Sequence, residues 1–108
     1  MLALIAAITL TWTAPGDDGN VGTATVYDVR YATDSATVAT WTNATQATGE
    51  PAPRAAGSTE TFQLTLPNGK YWFAIRTRDE AGNQSGASNI VSITQADVIP
   101  PSAIVDLR

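Results

Sequence analysis

Six stretches of this chain alternate apolar and polar residues with a period of two, and turn-forming residues separate them. No other feature constrains the fold as tightly. Successive side chains of a strand point to opposite faces, so sustained alternation marks a strand with one dry face and one wet face. The first stretch, Ile8–Thr13, puts Ile8, Leu10 and Trp12 on one face and three Thr on the other. Tyr27, Val29 and Tyr31 share a face in the second, opposite Asp28 and Arg30. A weaker stretch, Thr37–Trp41, is read as a short strand. Glu60–Leu66 aligns Phe62, Leu64 and Leu66; Tyr71–Thr77 aligns Tyr71, Phe73 and Ile75; Asn89–Ile93 aligns Val91 and Ile93. Residues 42–58 are polar and rich in Ala, Pro and Gly, which predicts a long loop with at most a short strand.

Composition points the same way. Sixteen Thr and eighteen Ala make up about a third of the chain, and β-branched Thr suits strands. No stretch carries a sustained 3.6-residue period. A chain of 108 residues supports one core. Recurrent half-buried strands separated by turns are the signature of an all-β sandwich or barrel.

Several function classes are excluded by residue type. The chain has no Cys and no His, which removes a disulfide framework, a Cys/His zinc site, a cysteine nucleophile and a histidine base. A net charge of −4 argues against nucleic acid as a partner. The longest apolar run, Leu2 to Ile8, falls far short of the ~20 residues of a membrane-spanning helix, so no membrane partner is expected. It also lacks the basic flank and length of a signal peptide.

Four segments together resemble a fibronectin type III domain of the bacterial extracellular type. Leu10-Thr11-Trp12 with Ala14-Pro15, then Tyr27-Asp28-Val29-Arg30-Tyr31, look like its strands B and C. Leu66-Pro67-Asn68-Gly69-Lys70-Tyr71 is similar to its tyrosine corner, in which the Tyr hydroxyl bonds back to the chain near the E–F turn. Asp79-Glu80-Ala81-Gly82-Asn83 with Ser85, Ser88 and Asn89 resembles its F–G region. The resemblance covers about residues 8 to 95. It implies an all-β, immunoglobulin-like β-sandwich of two antiparallel sheets covering each other, with Trp12, Tyr27, Val29, Leu66, Tyr71, Phe73 and Ile75 as the structural core.

The ends depart from that pattern. Seven residues precede Ile8, too few for a further strand, a turn and a return. Residues 100–108, two prolines followed by Ser102-Ala103-Ile104-Val105-Asp106-Leu107-Arg108, resemble a family opening with its strand A. The expected organisation is therefore a sandwich of strands B to G over residues 1–97. Residues 98–108 follow as a Pro-Pro linker and a strand-A-like segment. Ile104, Val105 and Leu107 are the candidates for strand exchange. The seven residues after Gln95 reach roughly 25 Å when extended, a taut span for a return to the same domain, so packing on another copy is favoured over packing in cis.

Candidate contacts divide into loops and rings. Asp17 and Asp18 in the B–C loop face Asp79 and Glu80 in the F–G loop at one pole of the family fold. Oxygen ligands there would suit Ca²⁺, but the spacing is no EF-hand, and Asp, Asn and Gly also serve as plain turn formers. No metal and no cofactor are expected. Trp72, which alternation turns away from Tyr71 and Phe73, and Trp41 are candidates for stacking on sugar rings. Neither a catalytic carboxylate cleft nor a Gly-x-Ser-x-Gly elbow is present, and there is no Arg-Gly-Asp tripeptide. Asn43-Ala44-Thr45 and Asn83-Gln84-Ser85 are sequons of the kind that Thr-rich chains produce by chance.

The expectation is a non-catalytic module of a larger secreted or cell-surface protein, spacing and orienting neighbouring domains. Two alternatives stay open: a carbohydrate- or protein-binding module using the B–C and F–G loops or the Trp72 face, and a unit that self-associates through residues 102–108.

Overall fold

A computed structural model describes residues 7–16, 23–95 and 103–108. In chain order the elements are β1 (Ile8–Thr13), β2 (Val26–Ala32), α1 (Ser35–Thr40), β3 (Thr45–Gln46), β4 (Thr59–Leu64), β5 (Gly69–Arg78) and β6 (Val91–Gln95). They form two antiparallel sheets, β1-β4 and β3-β2-β5-β6, and these pack face to face as a β-sandwich.

Alternation sets the register. Leu10 pairs with Phe62 and Ile8 with Leu64 across β1 and β4. Val29 pairs with Ile75 and Tyr31 with Phe73 across β2 and β5. Directly paired residues share a face, so these side chains converge between the sheets. Ile8, Leu10, Val29, Phe62, Tyr71 and Phe73 are buried there, with Trp12, Tyr31, Leu64, Leu66, Ile75 and Ile93 partly buried around them. Trp12 sits at the margin of this core, its ring edge-on to Tyr27 at 5.0 Å. The Tyr71 hydroxyl donates to the Pro67 carbonyl at 2.7 Å, the expected lock on the turn between β4 and β5.

The stretch expected as a strand at Thr37–Trp41 is a helix, α1. Asp34 caps it: its carboxylate accepts from the Thr37 N–H at 2.7 Å and the Thr37 hydroxyl at 2.8 Å. Val38 and Trp41, three residues apart, fall on one side of the turn and pack on Ala74, with Ala32 and Trp72 beside them. The alternation Val38-Ala39-Thr40-Trp41 was too short to distinguish the two periods. Trp41 then ends the helix with a left-handed φ of 62°. A bulky residue adopts that conformation only where packing holds it.

Smaller differences concern element ends. β4 stops at Leu64 rather than Leu66, and β5 begins at Gly69. Within the 42–58 loop, Thr45 and Gln46 pair with β2 as β3. Between β5 and β6, Ser85 and Ser88 hold the chain to β5. Ser85 Oγ accepts from the Thr77 N–H and Ser88 Oγ from the Ile75 N–H, both at 2.9 Å. Their own N–H groups donate back to the Thr77 and Ile75 carbonyls.

Candidate functional site

The outer face of the four-stranded sheet carries the ring and charge constellation of this protein. Asp28 and Arg30 on β2, and Trp72, Ala74 and Arg76 on β5, point away from the core, because each alternates with an inward residue. Helix α1 lies across this face. The Asp28 carboxylate is buried and meets Arg30 through two hydrogen bonds of 3.2 Å. Such a bidentate pair fixes the guanidinium plane. Arg30 also donates to the Trp41 carbonyl at 3.1 Å. The guanidinium carbons of Arg30 and Arg76 each lie 4.8 Å from the Trp41 ring centroid.

Trp41 is therefore a second, small core and not an open platform. Only 7% of its surface is exposed, so the expectation of a ligand contact there is corrected: the two arginines, Val38 and Ala74 already occupy its surroundings. Trp72 differs. It is half-buried, flanks the same cluster, and has the Lys70 ammonium 5.1 Å from its ring centroid. The ammonium lies over one face of the indole as a cation–π contact.

Of the expected loop carboxylates, Asp17 and Asp18 lie outside the described residues. Asp79 is engaged within its own loop. It accepts from the Asn83 N–H at 2.8 Å, the Ala81 N–H at 3.0 Å and the Asn83 side-chain amide at 3.0 Å. The Asn83 amide, followed by the backbone donors, holds its carboxyl below the ordinary Asp value. Glu80 beside it is exposed. Among the described residues no group of three Asp, Glu, His or Cys is placed to hold a metal ion.

One buried polar constellation escaped sequence analysis. Glu60 is 1% exposed and reaches into the sandwich interior. Its Oε2 accepts from the Tyr27 hydroxyl at 2.9 Å and from the Arg54 N–H at 2.9 Å; the Arg54 Nε lies 3.5 Å from Oε1. Burial, opposed by the Trp12 indole and reinforced by Glu60, pushes the Tyr27 phenol up to about 12. Counting back from Phe62 by two does place Glu60 on the inner face, and that was the available signal. With its partners Glu60 is a satisfied structural group, which accounts for a charge in an apolar layer.

The fold and these sites define a small antiparallel β-sandwich. The chain is 38% identical over 90 residues to Chitinase A1 of Niallia circulans. The match covers 83% of this chain and 10% of that protein, so the chain corresponds to about a tenth of the relative's length. No family profile and no solved structure matches. No helix among the described residues is long and apolar enough to cross a membrane.

Proposed function

We propose that this chain is a non-catalytic fibronectin type III module of a larger secreted or cell-surface protein that acts on polysaccharide, and that it spaces and orients neighbouring domains. The observation that carries this reading is the match to one tenth of a chitinase by nearly the whole of a compact sandwich. A segment that small, folding around its own core, is an accessory unit of the larger protein. The charged side chains described above serve the fold: Asp28 with Arg30, Glu60 with Tyr27, and Asp79 with its own loop.

A second function, contact with a polysaccharide chain, rests on Trp72, half-exposed beside Lys70 on the outer face. Sedimentation with insoluble chitin and cellulose separates the two. A spacer stays in the supernatant, and Trp72→Ala changes nothing. Saturable binding lost in Trp72→Ala would replace the spacer with a carbohydrate-binding module. Release of sugar from chitin by the purified chain would overturn the non-catalytic reading.

A further inference from the structure

The turn between β4 and β5 carries the chain from the two-stranded sheet to the four-stranded one. No backbone hydrogen bond closes it among the described residues. Pro67 has no N–H to donate. Its carbonyl is taken by the Tyr71 hydroxyl at 2.7 Å. Gly69 then opens β5 with a φ of 156°, which L side chains rarely adopt.

Asn68 stands exposed at the tip of this turn, and its side chain has no hydrogen-bond partner among the described residues. It is the one asparagine followed by glycine. Asn20, Asn43, Asn83 and Asn89 precede Val21, Ala44, Gln84 and Ile90. Asn83 is further held by Asp79 through its N–H and its side-chain amide.

That pairing has a chemical consequence. The backbone nitrogen after an asparagine can attack the side-chain Cγ and close a succinimide ring. The N–Cγ bond forms, the Cγ–Nδ2 bond breaks, and ammonia leaves with the proton of the N–H. Water then opens the ring. Cleavage at Cγ gives aspartate; cleavage at the main-chain carbonyl gives isoaspartate, whose chain runs on through the side chain. Overall one water is taken up and one ammonia is released. A Cβ on the following residue crowds the attacking nitrogen, and glycine has none.

We propose that Asn68 is a self-modifying site: it loses ammonia to attack by the Gly69 nitrogen and passes in part to isoaspartate, which releases the Tyr71 lock. The release follows from length. Isoaspartate adds one carbon to the main chain between Pro67 and Gly69. The Pro67 carbonyl must stay within hydrogen-bond reach of Tyr71. Gly69 also packs close to that ring, since a Cβ built on it would lie 3.6 Å from the Tyr71 side chain.

The sheet regulates the rate. Ile75 directs its N–H and carbonyl at Ser88, on the β6 side of β5. By the two-residue repeat Gly69 has the same orientation, and it pairs with Gln95 at the end of the ladder. Its nitrogen becomes available when that end rung frays. The folded chain therefore reacts, and the unfolded chain reacts faster.

Ageing the full chain at neutral and mildly alkaline pH tests this. Isoelectric focusing should show a new species one negative charge beyond the native −4. Trypsin cuts after Arg54 and Lys70, and the change should map to residues 55–70, where Asn68 is the sole asparagine. The other asparagines should change on the order of tenfold more slowly, because the residue after each has a Cβ. Urea should speed the reaction, and Asn68→Ser should abolish the new species. A charge that stays at −4, or a change that maps outside residues 55–70, overturns the site. Isoaspartate is read by enzymatic methylation of its free carboxylate. The isoaspartyl fraction should melt below the parent chain by as much as Tyr71→Phe does, and Tyr71→Phe should cost it nothing further. Asn68→Asp has the same charge on an ordinary backbone and should keep the parent's Tm. An isoaspartyl fraction that melts with Asn68→Asp overturns the release of the lock.

Discussion

The Tyr27 hydroxyl donates a 2.9 Å hydrogen bond to the Glu60 carboxylate inside the sandwich, joining β2 of one sheet to β4 of the other. It is a polar tie between sheets that otherwise meet through apolar side chains. Its two members stand 33 residues apart in sequence.

Tyr27→Phe removes that donor while Glu60 keeps Arg54. Hydrogen bonds to charged groups contribute about 1.5–3 kcal/mol, and a loss in that range is expected in denaturant unfolding. Glu60→Ala should cost more than Tyr27→Phe, because it also frees the Arg54 N–H and leaves a space in the core.

The same tyrosine sets an alkaline limit. Its folded pKa of about 12 exceeds the ordinary value of 10.0, chiefly because burial disfavours the phenolate. The fold holds a proton that the unfolded chain releases earlier. The stability tied to neutral Tyr27 is complete below pH 10.0 and is lost as pH rises through about 12. A Tm series across that window should fall more steeply for the native chain than for Tyr27→Phe. Parallel curves would refute the assignment.

Tyr71→Phe deletes the 2.7 Å bond to the Pro67 carbonyl and leaves the ring in place. A loss of about 1 kcal/mol, seen as a Tm drop of about 4–8 °C, is expected. An unchanged Tm would mean that the turn is held by the ring alone.

The two tryptophans of the outer face should behave differently. Trp41→Ala empties a buried site under α1 and should cost about 3–5 kcal/mol. Trp72→Ala, at a half-buried site, should cost clearly less. Equal losses in thermal unfolding would contradict the burial that separates them.

Asp34 caps α1 from an exposed position, and the Thr37 N–H followed by the Thr37 hydroxyl holds its carboxyl below the ordinary Asp value. Its contribution is present above the ordinary carboxylate range and fades as pH falls through the lowered folded value. Asp34→Ala should loosen the helix and expose Trp41, read as a red shift in tryptophan emission at neutral pH. No shift would show that packing alone retains the helix.

Most of the inner face was legible in the sequence. Leu10, Val29, Phe62, Tyr71 and Phe73 are all buried where alternation put them. A strand pattern is local, and one dry face repeats at every second residue whatever it packs against. The Thr37–Trp41 stretch was misread because five residues satisfy either period. The Asp34 cap and a docking surface on Ala74 decided for helix. Trp41 looked available for a ligand because its arginine neighbours, Arg30 and Arg76, come from two other elements. Glu60 lay on the correct face, but nothing local showed that Tyr27 and Arg54 would satisfy it.

By itself the sequence determined the class: strands with one dry face, separated by turns, have to pair and bury those faces against one another, as a sandwich or a barrel does. Only the tertiary structure decided which charges are internal and which ring is covered. Those outcomes depend on what arrives from distant parts of the chain. Glu60 is stable inside because Tyr27 meets it there, and Trp41 is covered because Arg30 and Arg76 reach it from two other elements.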